Sequence, residues 1–150
     1  MSEFVTNMHR TSGLYEEIPP TGVTLAEAQA QTLEYIRRFV PQERKAPLAG
    51  NTIGTDRMFL AKYMPEVDQY LHYRNVDVSS IKELSRRWYP RVFFHAPAKD
   101  GGHRALADIL ESIRELEYYR QAVFVELPGL TSEEAQALSD AVVSKFGPNL

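Results

Sequence analysis

The sequence predicts an α/β domain that is mostly helical. Two short runs of strand character, PLAG (47–50) and YRNVDV (73–78), each stand just ahead of a segment with helical periodicity, the alternation that strand–helix units produce. Helix-start signals recur: Thr24 with Glu27, Ser80 with Glu83 and Thr131 with Glu134 have the spacing of a capping box, in which a hydroxyl and a carboxylate satisfy backbone N–H groups left free at a helix start. Length and composition agree, since 150 residues, 43% hydrophobic and 25% charged, suffice for one packed domain.

After Thr24, the residues Leu25, Ala28, Leu33, Ile36 and Val40 form one apolar stripe that ends before Pro41, so this segment reads as an amphipathic helix. PQERK (41–45) is a polar loop, and PLAG is a short apolar run bounded by proline and glycine, the pattern of a buried strand of parallel type. A second helix is expected from about Thr55, with Phe59, Leu60, Tyr63 and Met64 apolar. Pro65 ends it and opens a short turn or helix carrying Val67, Tyr70 and Leu71. YRNVDV alternates with the two-residue period of a strand. Ser80 and Glu83 then open a helix through Trp88 that Pro90 closes, and RVFFHAPAKDGG (91–102) reads as an irregular connection. The longest helix is expected from His103 to about Phe124, with Leu106, Ile109, Ile113 and Leu116 on one stripe. After the breaker LPG (127–129), Thr131 and Glu134 cap a last helix that Gly147 and Pro148 stop.

Two short strands do not make a stable sheet alone, so part of an α/β domain is expected to be missing on the N-terminal side, with Met1 an internal methionine. The chain holds no cysteine, which excludes disulfides and thiolate metal sites and points to a reducing, cytoplasmic setting. A net charge of -3 argues against coating long nucleic acid, which needs many phosphate contacts from Lys and Arg. Neither a secretory signal nor a membrane span is legible.

The stretch GGHRALADILESIRELEYYR (101–120) sets a histidine and an aspartate five residues apart, whereas side chains meant to meet along a helix sit three or four apart. With His103 in the glycine-rich loop, its imidazole is freed from helical spacing and can swing over the helix end toward Asp108. Such a pair suits a carboxylate that holds a divalent cation and an imidazole that takes a proton from water. The other reading stays open: His103 begins the helix, and Asp108 pairs with Arg104 four residues earlier.

The run LAGNTIGTDRMFLAKYMPEVDQYLHYRNVDVSSIKELSRRWYP (48–90), with the HxxxxD of 103–108 and with ESIRELEYYR, resembles the oligoribonucleases, 3′-to-5′ exoribonucleases of the DEDDh type. The likeness spans nearly all of residues 4–124, including MHRTSGL (8–14), and is nearest to actinobacterial members, with SSIKEL, RRWYPR and HRALADI. It implies a ribonuclease H-like exonuclease fold lacking its first strands, with residues 1–124 the C-terminal part of that domain and 125–150 a variable extension with one helix.

In that family four acids bind two divalent metals, Mg²⁺ or Mn²⁺, and a histidine acts as general base. The resemblance assigns Asp56, in the motif N-[ST]-x-x-x-D begun by Asn51, and Asp108 to the metal site, and His103 to the base. Taken alone, Asp56 also reads as a first-turn aspartate favoured by the helix dipole. Phe4 matches an aromatic that wedges beside a base. His9, Thr52, Arg74 and Ser79 match residues around the terminal phosphate, where hydrogen-bond donors and a guanidinium suit a dianion. Tyr73 matches a residue donated across a homodimer interface. Family members begin with a strand carrying D-x-E followed by T-G-L, which this sequence lacks, so the polypeptide as written is expected to be inactive or nearly so. Short RNA, about two nucleotides long, is the implied substrate, and no membrane is involved. An inactive dinucleotide-binding or dimerising remnant and a helical interaction protein stand as the alternatives. Trp88 with Arg86 and Arg87 reads as an apolar anchor beside a solvated basic face, and Tyr118 and Tyr119 read as packing. His72 and His95 read as structural, and Met58 and Met64 as core.

Overall fold

The computed structural model describes residues 2–98 and 104–146, with the backbone alone for 18–21. Within them the chain is mostly helical with one two-stranded parallel sheet, the class expected from the sequence. Two helices precede the first expected one, α1 (Glu3–Thr11) and α2 (Leu14–Thr21), and Gly13 between them sits at φ 75°, a left-handed turn that a Cβ would strain. Helix α1 is not among the elements expected from the sequence, although Phe4, Val5 and Met8 fall on one helical face; the helix buries no residue.

Helix α3 (Leu25–Phe39) begins with the complete capping box: Thr24 Oγ1 accepts from the Glu27 N–H at 3.2 Å, and Glu27 Oε2 accepts from the Thr24 N–H at 2.8 Å. The Thr24 hydroxyl, which also donates to Glu27 Oε2 at 2.6 Å, and then the Thr24 N–H hold the Glu27 carboxyl below its ordinary pKa. Leu33 of α3 meets Val67 and Tyr70 of α5 (Pro65–Tyr70) and Leu71, with Ile36, Leu48, Leu60 and Met64 packed around them. This is the apolar core, and the Tyr70 hydroxyl leaves no polar debt in it by donating to Val40 O at 2.8 Å. Helix α4 (Ile53–Tyr63) is fastened to the same unit by Arg57, whose Nε lies 2.5 Å from Asp68 Oδ1 and whose Nη1 donates to His72 O at 2.7 Å.

Strand β1 (Pro47–Gly50) pairs in parallel with β2 (His72–Asp77). Pro47 lies opposite His72 but Leu48 opposite Asn75, so Tyr73 and Arg74 have no partner in the ladder and form a bulge. From Leu48–Asn75 the pairing runs on to Gly50–Asp77, leaving both strands to end side by side.

Several expectations are corrected. Helix α6 (Val78–Trp88) starts ahead of Ser80 because Asp77, the last strand residue, already caps it, accepting from the Ser79 N–H at 2.9 Å. Glu83 therefore lies inside the helix and pairs with Arg87, which lowers its pKa. The expected irregular connection contains a short helix, α7 (Pro90–Phe94), with Pro90 at its first position, where its missing N–H costs nothing. Helix α8 (Ala105–Val123) does not bury its apolar stripe: Leu106, Ile109 and Ile113 are 70%, 55% and 60% exposed, and Glu115 and Tyr119 are its buried residues. Ile109 and Ile113 stand at a cavity beside α8. Met58 and Trp88 are exposed rather than core or anchor, Trp88 standing at a shallow pocket that Val123 and Phe124 also line. Met64 does pack on the core, and Tyr119 is fully buried. The imidazole rings of His72 and His95 bond locally, the first accepting from the Arg74 N–H at 3.1 Å and the second 2.8 Å from Arg91 O. Helix α9 (Ser132–Phe146) has the expected Thr131–Glu134 box and buries none of its residues.

Candidate active site

The ends of β1 and β2 supply the frame. Beyond Gly50 and Asp77 the chain turns into α4 and α6, in the crevice outside the carboxyl ends of parallel strands, where α/β proteins build sites. Thr52 makes the first turn in the left-handed region at φ 54°, ψ 35°, which costs a non-glycine residue roughly 1–2 kcal/mol. Its N–H is held by two acceptors, Asp77 Oδ1 at 3.0 Å and Ser79 Oγ at 2.9 Å, and its hydroxyl lies 3.2 Å from the Ser79 hydroxyl. Strain of this kind persists only where the surroundings fix it.

Asn51, next to Thr52, joins the sheet to α8. Its Nδ2 donates to Ser112 Oγ at 2.9 Å and to Glu115 Oε2 at 3.1 Å, while its Oδ1 accepts from Ser79 Oγ at 3.1 Å. Glu115 is 2% exposed, and a carboxylate so placed requires compensation. Lys82 Nζ of α6 supplies it at 3.1 Å.

Above this joint lies a cavity of about 530 Å³ whose lining includes Ala49, Ile53, Ala105, Ile109 and Ile113, together with Asp56 and Asp108. The two aspartates come from the first turns of α4 and α8, where the N-terminal dipole favours negative charge. Both are exposed. The structure thus brings Asp56 and Asp108 to one cavity, and Thr52 and Ser79 into contact with each other.

His103 lies outside the described residues. Its neighbour Arg104 does not pair with Asp108: its Nη1 donates to Ser12 O at 3.2 Å and its Nη2 lies 2.5 Å from Glu17 Oε2. Arg104 thereby ties the α1–α2 hairpin, which carries exposed Phe4 and half-buried His9, to the start of α8. Tyr73 and Arg74 stand on the β2 bulge, with the guanidinium carbon 5.4 Å from the Tyr73 ring centre and the His72 ring 4.5 Å from it on stacking. Sequence reasoning missed Ser112, Glu115, Lys82 and Asp77. The signal for two of them was present, since Asp108, Ser112 and Glu115 follow the i, i+4, i+7 spacing of one helix face.

Two carboxylates fit part of the ligand shell of a hard cation. Among the described residues no group of three or more Asp, Glu or His side chains gathers to hold a metal ion. The donors described therefore supply part of such a shell and do not by themselves complete a two-ion site.

The family model of the RNase T exonucleases matches residues 1–116, so the fold and site belong to an exonuclease domain. The oligoribonuclease of Leifsonia xyli subsp. xyli is 69% identical over 146 residues, 97% of this chain and 70% of that protein. That of Cutibacterium acnes is 66% identical over 129 residues, 86% of this chain and 63% of that protein, and that of Rhodococcus jostii 57% over 148 residues, 99% and 72%. The chain belongs to the oligoribonuclease family, a family of metal-dependent exonucleases.

Proposed function

We propose that this chain performs the family's reaction on very short RNA, of about two nucleotides, releasing mononucleotides from the 3′ end. The observation that carries the reading is the convergence of Asp56 and Asp108, from separate helices, on one cavity. In this reading Asp56 and Asp108 would hold Mg²⁺ or Mn²⁺, which when bound would supply Lewis-acid stabilisation of charge on the phosphate oxygens. His103 would take a proton from the attacking water. The Thr52 and Ser79 hydroxyls, Arg74 and His9 hold the terminal phosphate, and Phe4 stacks beside a base. Tyr73, exposed on its bulge, reaches across the interface of a homodimer. Residues 1–124 form this part of the exonuclease domain, and 125–150 are an extension. The absence of cysteine accords with a cytoplasmic setting. No helix among the described residues is long and apolar enough to cross a membrane.

The test is to incubate the 150-residue chain with a 5′-phosphorylated RNA dinucleotide and Mn²⁺. Mononucleotide release is expected, and His103→Ala is expected to remove most of it. Binding of the dinucleotide, followed by fluorescence polarisation, should weaken in Arg74→Ala. Absence of binding, or a rate indifferent to Asp56→Asn and Asp108→Asn, overturns the reading. Sedimentation of the wild type and of Tyr73→Ala tests the dimer.

A further inference from the structure

We infer that Glu115, acting through Asn51, is a positioning residue that fixes α8 against the end of β1 so that Asp108 and Asp56 face the same cavity. The geometry starts on α8. Asp108, Ser112 and Glu115 occupy one helix face, because positions i, i+4 and i+7 lie above one another. The upper residue of that face lines the cavity, while the two lower ones both accept from a single amide group, Asn51 Nδ2, at 2.9 and 3.1 Å.

Asn51 is the last residue before the strained turn at Thr52, and that turn opens α4, which bears Asp56 in its first turn. The path from one aspartate to the other therefore runs through helix, the Ser112 and Glu115 oxygens, the Asn51 amide and the turn. The third side of the joint is α6: Ser79 donates to Asn51 Oδ1 at 3.1 Å, and Lys82 lies 3.1 Å from Glu115. The half-buried Asn51 amide, bonded on both its ends, has one orientation, and the buried Glu115 carboxylate accepting from it cannot slide without losing a partner. Apolar contact is incomplete on this face of α8, where Ile109 and Ile113 line the cavity and are largely exposed.

The inference rests on the proposed function only in what it says about catalysis, so the deciding measurement is one of distance. The chain contains no cysteine, so Thr55→Cys on α4 and Leu110→Cys on α8, both exposed positions, accept nitroxide labels cleanly. Pulsed electron resonance on this pair should give a single narrow distance distribution. Asn51→Ala and Glu115→Ala should each at least double its width while far-UV circular dichroism keeps its helical signal. Glu115→Gln, which keeps an oxygen for the Asn51 amide, should retain the narrow distribution. A width in Asn51→Ala equal to that of the unmutated background overturns the proposal, as does broadening in Glu115→Gln as large as in Glu115→Ala. If Glu115→Ala fails to fold, Asn51→Ala decides alone, since it leaves the Glu115–Lys82 pair in place.

In dinucleotide hydrolysis the positioning role predicts a loss in kcat of tenfold or more with KM within about twofold for Glu115→Ala, because misplacement by about 1 Å is worth up to about 10²-fold. A chain that releases no mononucleotide in any background removes the functional reading, whereas the label distances still judge the joint.

Discussion

The two sides of this molecule are held by different physics. Around Leu33, Val67, Tyr70 and Leu71 the buried side chains are apolar and packed against more apolar neighbours. On the side of α8 that meets β1 and α6, Glu115 and Ser85 are buried beside the apolar Val78 and Tyr119, and polar bonds centred on Asn51 join the elements while the apolar residues Ile109 and Ile113 stand at an open cavity. The first kind of contact is non-directional and strong per unit area. The second stabilises little net but specifies orientation. The lesson is a division of labour, in which the α3–α5 side keeps the chain folded and the α8 side aims two carboxylates.

Substitutions should separate the two sides in order of size. Leu33→Ala creates a cavity in the apolar core and is expected to destabilise by about 2–4 kcal/mol in urea unfolding; a loss under about 1 kcal/mol would mean that the core is not where the stability lies. On the other side, Tyr119 is wholly buried and its hydroxyl finds no hydrogen-bond partner among the described residues, so Tyr119→Phe should stabilise by about 1 kcal/mol. Burial first, then the nearby Glu115 and Tyr118, raise the Tyr119 pKa above its ordinary 10.0. A phenol whose folded pKa exceeds the unfolded one contributes stability that is full below about pH 10 and is lost as pH rises through the folded value. Thermal melts of the wild type should accordingly fall above about pH 10, and those of Tyr119→Phe should fall less.

A smaller effect is expected at the turn. Thr52→Asn tolerates the left-handed conformation better, and should add up to about 1 kcal/mol of stability while weakening dinucleotide binding through the changed side chain. Ile113→Ser, on the exposed wall of the cavity, should move stability by no more than about 0.5 kcal/mol. If it costs as much as Leu33→Ala, the contrast between the two sides fails. Least of all, Thr24→Ala should flatten the acid limb of the melt. Glu27 is held below its ordinary 4.5 by Thr24, and a lowered carboxylate pKa gives stability that is present above the unfolded value and lost as pH falls through the folded one.

What was legible in the sequence follows from the range of each interaction. The Thr24–Glu27 and Thr131–Glu134 boxes are local, and both appear as read. The two strands were placed to within a residue because their period and flanking residues are local too. The Ser80–Glu83 box failed because Asp77, a strand residue, capped α6 first. The stripe of α8 was a true helical stripe, but periodicity shows only that a face is apolar, not what covers it. Asp56 and Asp108 were found through motif resemblance, and the cavity they share accords with it. His103 falls outside the described residues, and the Asn51 joint was hidden because it joins residues more than sixty positions apart in the chain.

The bulge in β2 gives the chain slack where it is least costly. Tyr73 and Arg74 are extra to the ladder, and pairing resumes at Asn75 with Val76 and Asp77 in step behind it. Side chains at 73 and 74 can therefore be exchanged, for a different base preference or a different neighbour, without dragging Asp77 and the start of α6 out of line. Adaptability at the rim is insulated from the frame that holds the acids.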